Sequence, residues 1–312
     1  MINIAEKEII SKWCGDINTP IVSIICTTYN HEKYIENALN SFLSQITNFP
    51  FEIIIHDDAS TDDTAKIIKE YEKKYPLIVK PIYEKENIYS NNMISMEEII
   101  IQRVRGKYIA LCEGDDYWIE NNKLQFQYDY IENNEGVSAV VHNSSVRNID
   151  TGETKLFNKS ISNGRYIGAE SILDWVISPP YHTSSVFLNT KYYVVPNEMR
   201  MSYIGDLPLA LWLSLNGKIY YSNQVMSVYN KNTSNSWSTR SIANTEYQIS
   251  LLSEMNGLFD LYNRKTNGKY ISKIKEARLR NKASIAIKKG KTIESYFLRA
   301  RCYFFYLFNK VK

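Results

Sequence analysis

Only four cysteines occur in 312 residues, Cys14, Cys26, Cys112 and Cys302, and they lie far apart. That spacing suits neither a disulfide framework nor a zinc site. Two of the four sit in apolar, strand-like runs where a reduced, buried thiol belongs, so the expected compartment is the cytosol. An uninterrupted apolar run of the ~20 residues a spanning helix needs is missing. The opening residues include Glu6, Lys7, Glu8, Lys12 and Asp16, not the apolar core of a signal peptide. The sequence therefore predicts neither secretion nor a membrane span. No glycine-rich loop follows the first apolar run, which excludes a Walker motif and a dinucleotide fingerprint. Internal repeats and low-complexity blocks are also lacking.

What is present is a chain able to bury a core, with 44% hydrophobic residues, enough for one large domain or two smaller halves. After a short leading helix within 2–13, residues 21–27 form a nearly continuous apolar run, as expected of a strand buried on both faces. Asn30 is placed to cap the next helix, whose Ile35, Ala38, Leu39, Phe42, Leu43 and Ile46 fall on one face. A second strand over 51–55 ends in His56-Asp57-Asp58. Ser60, with Asp63 three residues on, resembles a capping box for a helix ending before Pro76. A strand over 79–83, a helix over 96–104 and a strand over 108–112 complete an alternating pattern that predicts a doubly wound α/β sheet. Further on, the patterning predicts a helix over 123–133, strands over 137–143 and 181–188, and a helix over 169–177. Beyond these come a helix over 207–215, short strands over 218–221 and 225–229, a flexible stretch over 230–239, and helix from 242 onward.

Ligands of such sheets bind outside the carboxyl ends of the strands. Polar groups gather there in this chain: Thr27-Thr28-Tyr29-Asn30 after the first strand, Asp57-Asp58 after the second, and Glu113-Gly114-Asp115-Asp116 after the fourth. Three carboxylates within four residues repel one another unless a cation or strong donors compensate. That points to a divalent metal; a solvated acidic turn is the alternative.

In this order the elements Val22-Ser23-Ile24-Ile25-Cys26-Thr27-Thr28-Tyr29-Asn30, Asp57-Asp58-Ala59-Ser60-Thr61-Asp62, Gly106-Lys107-Tyr108-Ile109-Ala110 and Glu113-Gly114-Asp115-Asp116-Tyr117-Trp118 resemble family 2 inverting glycosyltransferases, in the bacterial branch that builds surface polysaccharides. The resemblance covers roughly residues 20–240. It implies a GT-A fold: a mostly parallel, doubly wound nucleotide-binding sheet over 19–120 after the leading segment 1–18, an acceptor half over 121–240, and a helical basic extension over 241–312. It further implies that Thr27 and Tyr29 hold the nucleotide base, that Asp57 or Asp58 reads the uracil N3 hydrogen, and that Asp115 and Asp116 bind Mg²⁺ or Mn²⁺. Glu113 departs from the family's usual aspartate there, and a ribose hydroxyl or a metal-bound water is its implied partner. Asp206, at a helix start beyond the metal motif, takes the position of the base that removes the acceptor's proton; capping its helix is the plainer role. His182 is implied on the acceptor or diphosphate side. Trp237 is implied in a segment closing over the donor phosphates, with Arg240 as a charge clamp.

Residues 264–312 carry 15 Lys and Arg against Glu276 and Glu294, while the rest of the chain is net acidic. A basic amphipathic helix over 269–289 and an aromatic, basic segment over 296–308 point to an anionic membrane surface. Packing on the catalytic body and a homo-oligomer interface are the alternatives. The expected function is transfer of a hexosyl unit from a nucleotide sugar, UDP-linked by expectation, to a glycan or lipid-linked glycan, in the cytoplasm or on the inner face of the membrane. Nucleic acid is not an expected partner. A sugar-1-phosphate nucleotidyltransferase would require a glycine-rich basic loop that Thr28-Tyr29-Asn30-His31 does not supply, and a non-enzymatic nucleotide- or nucleic-acid-binding module would leave the acidic rim unexplained.

Overall fold

The structure is a computed structural model and describes residues 4–91, 96–175, 179–202, 205–233 and 245–291, with 295, 297 and 298. The short helix α1 (Glu6–Ile10) precedes β1 (Val22–Thr28), α2 (Ile35–Leu43), β2 (Phe51–Asp57), α3 (Thr64–Lys74) and β3 (Val79–Tyr83). Two short helices, α4 (Ile88–Asn91) and α5 (Met96–Ile101), lead to β4 (Tyr108–Leu111). β1 pairs in parallel with both β2 and β4, and β2 with β3, so the strands run in the order β3-β2-β1-β4 of a doubly wound sheet. Their carboxyl ends share one rim. Every residue of β2 is buried, which explains its unbroken apolar run before His56. On α2, Ile35, Ala38, Leu39, Phe42 and Leu43 are buried as their spacing predicts, and each large side chain stabilises by roughly 1.5–3 kcal/mol. Ile46 lies past the end of the helix and is exposed.

Two expected caps are used differently. Asn30 takes a left-handed φ of 56° and accepts the Thr61 N–H on its side-chain oxygen at 2.7 Å, while its own N–H donates to the Ser60 hydroxyl at 2.9 Å. It therefore ties β1 to the loop after β2, and α2 begins five residues later. Ser60 in turn bonds to Asp57, and α3 starts at Thr64.

The sheet continues through β5 (Tyr117–Trp118), α6 (Lys123–Asn133), β6 (Val137–Asn148), β7 (Thr154–Leu156), β8 (Arg165–Ile167), α7 (Ala169–Leu173) and β9 (Phe187–Asn189). After α8 (Asp206–Asn216), β10 (Lys218–Lys231) pairs in parallel with β6, and β9 lies antiparallel between β4 and β6. The two short strands expected over 218–229 are one strand, with register shifts near Ser222 and Val225 that break its hydrophobic pattern. The expected strand over 181–188 folds instead as a 3₁₀ turn, Thr183–Ser185, before β9, because its serines bond locally and across to the sheet.

The chain divides into two compact units. One holds residues 1–166, 181–194 and 216–235; the other holds 167–180, 195–215 and 236–312. The second contains α7, α8, α9 (Thr245–Lys265) and α10 (Ile271–Lys288). Within it, α9 buries Leu252, Met255, Leu258, Phe259 and Tyr262. α10 buries Ile274, Ala277, Asn281, Ala283 and Ala286, whereas Ile271 and Ile287 are exposed. Lys273 and Arg280 pair with Asp174, and Arg278 with Asp260. Among the described residues, no helix is long and apolar enough to cross a membrane.

Candidate active site

Beyond β4, the acidic loop stays laced to β1. The Cys112 N–H donates to Ile25 O at 3.1 Å and the Gly114 N–H to Thr27 O at 2.9 Å. A Cβ on Gly114 would lie 2.7 Å from Thr28 Oγ1, so the loop can approach β1 this closely only with glycine. The result sets Glu113 at the surface and turns Asp115 and Asp116 inward.

Asp116 is 1% exposed. Its Oδ1 accepts the Asn230 N–H at 2.9 Å, and its Oδ2 has no hydrogen-bond partner. Burial, then the charges of Asp115 and Glu113, push its carboxyl well above the usual range; the Asn230 N–H acts the other way. Asp115 is held by Thr233, whose hydroxyl donates to Oδ2 at 2.8 Å, with His31 Nε2 at 3.8 Å from the same oxygen. Asn230 Nδ2 also donates to Asp115 O at 2.6 Å. Asn230 and Thr233, read from sequence as part of a flexible stretch, are thus buried braces of the acidic loop. Nothing local in the sequence marks them, because their partners lie more than a hundred residues earlier.

His182 enters from the turn before β9. Its Nδ1 lies 3.6 Å from Asp116 Oδ2, and its ring stacks on Tyr229 at 4.2 Å between centroids. Burial lowers its pKa to about 3, so the ring is neutral and the contact with Asp116 is not an ion pair. Ligand atoms of Glu113, Asp116 and His182 all lie within 4.8 Å of one another. With Asp116 Oδ2, the acceptors Thr28 Oγ1 and Asn230 Oδ1 are buried without partners. A divalent cation would satisfy Asp116 Oδ2, with a Glu113 oxygen within 4.8 Å, so these carboxylates fit the implied metal.

Across the rim, Thr27 and Tyr29 are half-buried at the end of β1. Asp57 bonds to the Ser60 hydroxyl and N–H, and burial, as the leading cause, raises its pKa. Asp58 accepts the N–H groups of Ile88 and Tyr89 at 2.7 and 3.2 Å, fixing the loop after β3. Asp206 is the exposed first residue of α8 in the second unit, with Gly205 O accepting the first helical bond from Leu209. Trp237 and Arg240 lie outside the described residues.

A mixed α/β sheet with carboxylates gathered at the carboxyl ends of its parallel strands defines a GT-A-type fold. The chain belongs to glycosyl transferase family 2, whose model matches residues 23–192. It is 42% identical over 121 residues to an uncharacterized Mycobacterium tuberculosis protein, Rv1520, covering 39% of this chain and 34% of that one. It is 35% identical over 112 residues to the Escherichia coli UDP-Glc:alpha-D-GlcNAc-diphosphoundecaprenol beta-1,3-glucosyltransferase WfaP, covering 36% of this chain and 41% of WfaP. The matched region thus spans between a third and a half of these relatives. The fold resembles the mannosyltransferase PcManGT of Pyrobaculum calidifontis in complex with GDP-Man and Mn²⁺, with TM-score 0.53, 16% identity and coverage of 93% of this chain and 81% of that one.

Proposed function

We propose that this protein is a metal-dependent, inverting glycosyltransferase moving a hexosyl unit from a UDP-sugar to a glycan or lipid-linked glycan. One observation carries the reading: a buried carboxylate, Asp116, crowded by two others and lacking a partner on Oδ2, at the rim where Thr27, Tyr29, Asp57 and Asp58 also end. The names of WfaP and PcManGT, which specify a UDP-sugar or GDP-sugar and, for WfaP, a diphospholipid-linked sugar, support the substrate class.

In this reading Tyr29 stacks on the base, and of Asp57 and Asp58 one accepts the uracil N3–H while the other braces the loop, as Asp58 does on the N–H groups of Ile88 and Tyr89. Asp116 and Glu113, with Asp115 braced beside them by Thr233, supply the oxygens that would hold Mn²⁺ or Mg²⁺. Such a cation, when bound, neutralises charge on the departing diphosphate. Asp206 accepts the proton of the acceptor hydroxyl as that oxygen bonds to the anomeric carbon from the face opposite the diphosphate. The bond from that carbon to the diphosphate oxygen breaks, and its electrons leave with the diphosphate. The loop fixed by Asp58 borders the base site, and Trp237 and Arg240 are retained as donor-phosphate contacts.

The test is metal-dependent UDP release from a panel of UDP-sugars. Expected is release from at least one donor with Mn²⁺, a fall of at least a hundredfold in Asp116→Asn, and a comparable fall in transfer, with UDP binding intact, in Asp206→Asn. Absence of UDP binding in every metal and donor combination would overturn the reading.

A further inference from the structure

Behind His182 runs a file of three buried hydroxyls that the transfer chemistry does not call on. Ser184 Oγ lies 2.9 Å from His182 Nδ1, Ser227 Oγ 2.9 Å from Ser184 Oγ, and Ser144 Oγ 2.8 Å from Ser227 Oγ. All three serines are fully buried, one each from the 3₁₀ turn, β10 and β6. The Ser184 backbone N–H also donates to His182 Nδ1, at 3.2 Å.

An amide N–H can only donate, so Nδ1 is an acceptor and the proton of the neutral ring sits on Nε2. The direction of the whole file follows. Ser184 donates its hydroxyl to Nδ1 and accepts from Ser227, and Ser227 accepts from Ser144. The turn itself is clamped from behind: Trp118 Nε1 donates to Ser184 O at 2.9 Å and Gln127 Nε2 to Ser185 O at 2.8 Å. Gln127 is in turn held by the buried Lys123 at 2.7 Å.

We propose that Ser184, backed by Ser227 and Ser144, is a positioning residue that fixes His182 as the Nε2–H tautomer and occupies the lone pair of Nδ1, the ring nitrogen 3.6 Å from Asp116 Oδ2, so that Nδ1 is closed to a cation. The cation would then be held by carboxylate oxygens alone, the donor set a hard ion prefers. The cation rests on the transferase reading above; the tautomer does not.

Imidazole ¹⁵N NMR on the full chain decides the matter. The chain has four histidines, so single His→Gln variants assign every ring. Expected for His182 is a pyridine-type, hydrogen-bonded Nδ1 and a protonated Nε2. The Nδ1 resonance should move toward its unbonded position in Ser184→Ala, move less in Ser227→Ala, and stay unchanged when Mg²⁺ is added. Ser227→Ala alone suffices if Ser184→Ala does not fold. A protonated Nδ1 in the wild type, an Nδ1 unmoved in the folded serine variants, or a coordination shift at Nδ1 with Mg²⁺ would overturn the proposal. A chain with the expected tautomer but no UDP binding would overturn the transferase reading and leave this one standing.

Discussion

Asp116 is where function and stability pull against each other. A carboxylate with one unpartnered oxygen, buried beside two like charges, destabilises the metal-free fold. Asp116→Asn should therefore raise metal-free stability in urea unfolding while lowering activity by at least about a hundredfold. Gly114→Ala should act in the opposite sense. Its Cβ would press on Thr28 Oγ1 and Thr28 Cβ at 2.7 and 2.8 Å, for a loss of about 1–3 kcal/mol and weakened nucleotide binding. A third residue gives a pH signature. His142 is buried and its pKa is lowered well below the ordinary value, first by burial and then by Lys123. The unfolded chain binds a proton at His142 below pH ~6.5 that the folded chain refuses, so folded stability is lost as pH falls through that value. Compared with His142→Gln, the wild type should lose about 1.4 kcal/mol more per pH unit below ~6. Parallel slopes for the two proteins would contradict this.

Among the elements, β10 has the largest unforeseen role. Its carboxyl end brings Asn230 to the acidic loop, and Thr233 follows just beyond it. Thr233→Val keeps the shape but removes the donor to Asp115 Oδ2. A loss of about 1–3 kcal/mol is expected, along with weaker metal-dependent UDP binding. The β1 to β4 half was legible in sequence because each strand is buried on both faces and announces itself as an apolar run with a polar end. β10 was not, because register shifts near Ser222 and Val225 interrupt its pattern and its site contacts are long-range. The turn Thr183–Ser185 was hidden for a related reason: three polar residues before an apolar run read as a strand's entry, and only contacts such as the Ser184–Ser227 hydroxyl bond show that Ser184 and Ser185 are buried. Asn30 and Ser60 carried cap chemistry that the fold spends on each other and on Asp57 and Thr61. The candidate site was thus readable on strand ends and at His182, and unreadable where it depends on Ser144 from β6, Asn230 and Ser227 from β10, Thr233 just beyond it, and Ser184 of the turn.

For the whole molecule, charge is distributed unevenly, with 15 basic and two acidic residues over 264–312. Part of that charge is spent inside the second unit, where Lys273, Arg278 and Arg280 are ion-paired. Exposed Lys275, Lys282 and Lys289 remain on or beside α10. If the tail is a membrane-surface anchor, flotation should occur with anionic but not neutral vesicles and be lost on deleting 291–312; undiminished binding after deletion would contradict it. The central claim, a cation-dependent nucleotide site built on Asp116, is tested most directly by unfolding the wild type and Asp116→Asn with and without Mn²⁺ plus UDP. Expected is stabilisation of the wild type by about 2.7 kcal/mol at a hundredfold excess over Kd, requiring both Mn²⁺ and UDP, and none in Asp116→Asn. Equal stabilisation of the two proteins, or stabilisation by UDP without the cation, would contradict it.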